Sequence, residues 1–120
     1  MFTQKQMEKY KRTKYTRELE RFLNRIVGYV SKNDELRKED FSNYIDLIFE
    51  PLENIEKVLL NSPYLTHLEK FVEKIANLPL SDMEMDEIRK EILHGANQLQ
   101  KTKRRQNKNS IKHKGKLYDR

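Results

Sequence analysis

The chain reads as an all-α protein. Three observations carry that reading. Apolar residues recur every three to four positions over most of the length, the period-two alternation of a half-buried strand is missing, and the interruptions fall at helix punctuation such as Pro51, Asn61-Ser62-Pro63 and Leu78-Pro79-Leu80-Ser81. The expected architecture is a small helical bundle of three long helices, or four to five segments when the interruption at Pro51 is counted. A basic, flexible C-terminal extension follows it. The bundle is assigned to residues 1–100 and the extension to residues 101–120.

The first helix is expected from about Thr3 to Val30. Leu19, Phe22, Leu23, Ile26, Val27 and Val30 lie at i, i+3, i+4, i+7, i+8 and i+11, one apolar stripe that Tyr15 extends backwards by a turn. Residues 31–34 form a polar break. A second helix is expected over residues 34–50, with Phe41, Tyr44, Ile45 and Ile48 inward. Pro51 lacks an amide hydrogen and crowds the preceding turn, so a kink or restart is expected there. Leu52, Ile55, Val58 and Leu59 keep the helical period to about Asn61.

A third helix is expected over residues 64–77, with Leu65, Leu68, Val72, Ile75 and Ala76 inward and Phe71 on the flank. Ser81 and Glu84 have the spacing of a capping box, the serine oxygen accepting from the Glu84 amide and the glutamate reaching back. Asp82, Glu84, Asp86 and Glu87 then favour the positive end of a fourth helix. Its stripe is Met85, Ile88, Ile92, Ala96 and Leu99. Gly95 is either a cost to that helix or the place where another helix comes close.

The size, 120 residues, allows one core. With no cysteine, disulfides and thiolate metal sites are excluded. No apolar run exceeds three residues, so no membrane insertion is expected, and the polar N-terminal residues do not read as a signal peptide. A cytoplasmic protein is the expectation.

Charge is distributed in blocks. Residues 1–25 hold eight Lys/Arg against three acidic residues, residues 26–100 hold eight against fifteen, and residues 101–120 hold nine against one. From Lys101 to Lys116 there are eight basic residues and no acid, while the last twenty positions supply only three apolar side chains, Ile111, Leu117 and Tyr118. Such a segment cannot order itself by burial. A basic helix end complements the dipole, but one turn would suffice for that. The excess points to a polyanion, with Lys101, Lys103, Arg104, Arg105, Lys108, Lys112, Lys114 and Lys116 as candidate phosphate contacts. Arg104 and Arg105 are the strongest, because guanidinium forks onto phosphate, and Gln106, Asn107 and Asn109 could add polar contacts.

A second basic stretch, Lys9, Lys11, Arg12, Lys14 and Arg17, is interleaved with Tyr10 and Tyr15, which could stack or hydrogen-bond. Its plain alternative is a solvated first turn with Tyr15 in the core. The plain alternative for the extension is a passive solubilising tail or a docking segment for an acidic protein, and an anionic membrane surface is the weakest partner, since the extension carries almost no apolar area to insert.

Catalytic and cofactor chemistry find no support. The histidines are His67, His94 and His113. Glu91 and His94 make one half of a helical di-iron motif, whose second half is missing. The three glycines stand apart, so no phosphate loop exists, and no nucleophile–base arrangement is suggested by spacing. No cofactor or metal is expected. No helix-turn-helix, zinc-finger, basic-zipper or RNP pattern is present, so sequence-specific duplex reading is not expected.

Leu78-Pro79-Leu80, Ile88-Arg89-Lys90-Glu91-Ile92, Arg104-Arg105-Gln106, Gly115-Lys116-Leu117 and Arg120 together resemble part of a family of small helical bacterial ribosome-assembly factors. The likeness covers the last third of the chain with several insertions. It implies an RNA partner in preference to DNA. The expected function is therefore a non-enzymatic nucleic-acid-binding accessory protein, RNA slightly preferred. The alternative is a protein-interaction adaptor or inhibitor, or a homo-oligomer, docking through helix faces with extra apolar residues (Leu47, Phe49, Leu60, Phe71, Leu93).

Overall fold

Four α-helices and one 3-10 turn are found among the described residues. In the computed structural model the backbone is described for residues 3–118 and the side chains for residues 3–106. The elements are α1 (Gln4–Lys32), α2 (Lys38–Glu53), α3 (Pro63–Asn77), a 3-10 turn at Leu78–Leu80, and α4 (Met85–Tyr118). No strand occurs among the described residues. None of the described helices is long and apolar enough to cross a membrane.

α1 is the axis of the bundle and packs against α2, α3 and α4, while α3 and α4 pack on each other. Its expected stripe is buried from Tyr15 through Leu19, Phe22, Leu23 and Ile26 to Val30; Val27 is half-buried at the edge. Phe41, Ile45, Ile48 and Leu52 of α2, Leu68, Val72 and Ile75 of α3, and Ile88, Ile92 and Leu99 of α4 complete one continuous core. No polar or charged residue is buried in it among the described residues. Each side chain so buried contributes on the order of 1.5–3 kcal/mol.

Helix ends are fixed by local chemistry. Thr3 caps α1: its hydroxyl accepts from the Gln6 amide at 3.2 Å, and Gln6 accepts from the Thr3 amide at 2.9 Å. Ser62 caps α3 by accepting from the Leu65 amide at 3.1 Å, with Pro63 in the first turn, where a missing amide hydrogen costs nothing. At the other end of α1, Arg89 of α4 reaches the open carbonyls: Nε donates to Val30 at 3.0 Å, Nη1 to Asp34 at 3.3 Å, and Nη2 to Asn33.

Gly95 proves to be a close approach. A Cβ there would collide with the ring of Phe71 on α3, whereas a Cβ on Gly28 would meet nothing within 4 Å.

Local expectations are corrected at three places: within α2, in the segment after it, and ahead of α4. α2 starts at Lys38 rather than Asp34, leaving residues 33–37 as a turn. Pro51 does not restart the helix, which runs through it. It sits exposed in the last turn of α2, where few backbone bonds remain to be lost, and the helix stops at Glu53. Residues 54–61, expected to continue as helix, are irregular; Leu59 is 92% exposed there, while Ile55, Val58 and Leu60 rest on the core. The third correction is the capping box. Ser81 Oγ donates to the Leu78 carbonyl at 2.6 Å and accepts from Met83 at 3.3 Å, closing the 3-10 turn, and α4 begins at Met85 with Asp86 and Glu87 in its first turn.

Candidate nucleic-acid interface

α1 buries one stripe and therefore presents another. Outside the core face lie Lys9, Arg12, Thr13, Arg17, Arg21 and Arg25. Arg17, Arg21 and Arg25 are spaced i, i+4, i+8, so they form a row along one side of the helix with a rise of about 6 Å between neighbours. All three are exposed. Two depressions run along this row. One, of about 450 Å³, is lined by Lys9, Arg12, Thr13, Thr16 and Arg17 with Asn61 just ahead of α3 and Leu65 in its first turn. The next, of about 520 Å³, is lined by Arg17, Glu20, Arg21, Asn24 and Arg25. A third, of about 350 Å³, lies between α1 and α4.

Glu20 lines all three depressions. Its Oε2 accepts from the Tyr64 hydroxyl at 3.2 Å and from Lys103 Nζ at 3.4 Å. Lys103 also lies 5.3 Å from the centre of the Tyr64 ring, a cation–π distance. The Tyr64 amide donates to Gln106 Oε1 at 3.3 Å. Burial, then the Glu20 charge and the hydrogen bond to it, push the Tyr64 phenol up to about 12, so it is a neutral donor at any physiological pH. Glu20 and Tyr64 thus seat the start of the basic part of α4 beside the cationic row of α1.

Each sequence-predicted residue has a definite place. Lys103 faces α1, while Lys101, Arg104 and Arg105 on either side of it along α4 are exposed. Gln106, expected to be free for polar contacts, is engaged by Tyr64. Lys9, Lys14 and Arg17 are exposed, and Arg12 is half-exposed. Lys11 departs from the others and pairs with Glu56 at 3.2 Å. The side chains of Asn107, Lys108, Asn109, Lys112, Lys114 and Lys116 lie outside the described residues. Tyr15 follows the apolar-stripe reading rather than the stacking one: it is 2% exposed, donates to Glu69 at 2.5 Å, and belongs to the core. Desolvation by burial, with Glu69 adding to it, raises its phenol far above the ordinary value. Tyr10, 59% exposed, is the open aromatic of the pair.

Arg21 and Arg25 were not singled out by the charge pattern, although their spacing from Arg17 was available in the sequence. Arg21 is partly compensated by Glu18 at 3.4 Å. Arg17, Arg25, Arg104 and Arg105 have no carboxylate within salt-bridge distance among the described residues.

The remaining surface is less suited to a polyanion. A depression of about 750 Å³ between α1 and α2 carries Asp34, Glu35 and Asp40 against Lys32. No group of three or more His, Asp or Glu side chains able to hold a metal occurs among the described residues, and His67 and His94 are exposed.

No family model matches the chain, and comparison with curated proteins and solved structures finds no match either. The partial likeness to ribosome-assembly factors is thus carried by the residues quoted above and by no family match.

Proposed function

We propose that this chain is a non-enzymatic nucleic-acid-binding accessory protein of the cytoplasm, with RNA preferred to DNA. It binds with one cationic surface built from the α1 row and the basic C-terminal extension, Lys101 to Lys116. One observation carries the reading: Lys103, at the start of the extension, is fastened to Glu20 in the middle of the α1 row. Cations placed together in this way act on the same stretch of phosphates, since charges within about 8 Å are poorly screened from one another at physiological salt. The acid-rich remainder of the chain faces a polyanion less favourably and orients it toward this side.

The adaptor alternative has less to draw on. Phe49, Leu60, Phe71 and Leu93 pack against the chain's own core, which leaves Leu47, 67% exposed, as the open one of the five extra apolar residues.

The test is binding of the full chain to labelled structured RNA and to duplex DNA across a salt series, beside an Arg104→Glu/Arg105→Glu variant. Binding that weakens steeply with salt and drops at least tenfold in the variant is the expected result. Salt-independent binding, or binding indifferent to the reversal, rejects the proposal.

A further inference from the structure

We infer that the slot between α1 and α4 takes one unstacked nucleobase while Arg17, Arg21 and Arg25 hold the adjoining phosphates, so that the ligand is a single-stranded RNA segment rather than a duplex. This rests on the nucleic-acid reading above and narrows it.

The slot differs in kind from the depressions beside it. It gathers the amides of Asn24, Asn97 and Gln100, with Leu23, Val27 and Leu99 lining it beside them. These three amides are exposed and make no side-chain hydrogen bond to another described residue. An amide offers a donor and an acceptor together, as does the Watson–Crick edge of a base. That edge is free only when the base is unpaired. In a duplex it is consumed, and the grooves of A-form RNA present it poorly. At about 350 Å³ the slot is at the small end of ligand pockets, room for one base and its sugar.

Charge separates the two subsites. The slot holds Glu20 paired with Lys103, so it is close to neutral, whereas the arginine depression, which Glu20 also lines, sets Arg17, Arg21 and Arg25 against that one carboxylate. The arginine row lies on the other side of Asn24, which lines both the slot and the arginine depression. The row's rise of about 6 Å per arginine is close to the spacing of successive phosphates along one strand. A strand laid along α1 therefore brings its phosphates to the guanidinium groups and turns a base inward at Asn24.

The experiment uses the full chain and three probes: a labelled ten-nucleotide RNA of unstructured mixed sequence, the same RNA annealed to its complement, and the equivalent single-stranded DNA. The expected result is about tenfold tighter binding to the single strand than to the RNA duplex. An Asn97→Ala/Gln100→Ala variant should bring the two affinities together while leaving the salt slope unchanged. An Arg21→Gln/Arg25→Gln variant should weaken binding to both and lower the slope by about two. All four positions are exposed, so each variant keeps the fold, which circular dichroism checks. If the duplex binds as tightly as the single strand, or the amide variant keeps the preference, the slot assignment is overturned and the wider reading survives. If no probe shows salt-sensitive binding, both are overturned. Equal affinity for the DNA strand overturns the commitment to RNA.

Discussion

Gly28 and Gly95 look alike in the sequence and behave oppositely in the fold. Gly28 has open space where a Cβ would go, and Gly95 has the Phe71 ring. Gly28→Ala should therefore stabilise the protein by about 0.5–1 kcal/mol, the ordinary helical gain. Gly95→Ala receives the same gain but must displace a packed ring, and a net loss of about 1–3 kcal/mol is expected. Denaturant midpoints of the two variants check the pair. Tyr64 supplies a pH test at the same scale. Its phenol is raised from 10.0 to about 12 by burial and by Glu20. A raised folded value means that the stabilisation is fully present below pH 10.0 and is lost as pH climbs toward 12. Tyr64→Phe should thus be less stable than the parent near neutrality, and the gap should close across that window in thermal unfolding curves. Tyr15 shows where composition misleads at this scale. A tyrosine within a basic run resembles a stacking residue, yet the position belongs equally to the apolar stripe of α1, and burial decided the matter.

Helices were legible wherever a stripe was long and its ends were chemically marked. α1 and α3 fall within a residue or two of where their periodicity put them, and the structure shows Thr3 and Ser62 as their caps. Residues 54–61 show why period alone is insufficient. Ile55, Val58 and Leu60 touch the core from an irregular chain, so their spacing matches a helix without requiring one. Ser81 is similar: the capping-box residues are present, but Pro79 shapes a 3-10 turn that takes the serine hydroxyl first. What tied the elements together was hidden altogether. Arg89 satisfies three carbonyls at the C-terminal end of α1 from a position more than fifty residues away, and no local pattern announces it. Arg89→Met keeps most of the stem's packing and removes those bonds. A loss of about 1.5–3 kcal/mol is expected, read from chemical denaturation. Hydrogen exchange should show the loss concentrated in the last turn of α1 and the turn at residues 33–37.

At the scale of the molecule the block pattern of charge was plain in the sequence, but its geometry was not. A basic, acidic, basic order fits a chain whose two ends lie far apart as well as one whose ends meet. The ends are joined by contacts that span 44 positions, from Glu20 to Tyr64, and 83 positions, from Glu20 to Lys103. Such pairings arise from packing α1 against both α3 and α4, which spacing within one helix cannot express. Joining them changes what the charges can do. If the α1 row and the α4 extension grip one strand, Arg12→Glu/Arg17→Glu and Arg104→Glu/Arg105→Glu should each weaken RNA binding by about ten- to a hundredfold near physiological salt. The combined variant should lose roughly the product of the two, because the sites make separate contacts to one ligand. Its salt slope should also fall by the sum of the two separate reductions. If instead the extension acts alone, the α1 reversal costs little and the combined variant matches the α4 reversal. If the two patches bind separate molecules, each reversal removes one equivalent from the binding stoichiometry and leaves the affinity of the other in place. Titration by fluorescence anisotropy, with stoichiometry measured at saturating protein, separates the three arrangements. Only the first gives multiplied affinities at an unchanged ratio of one strand per chain.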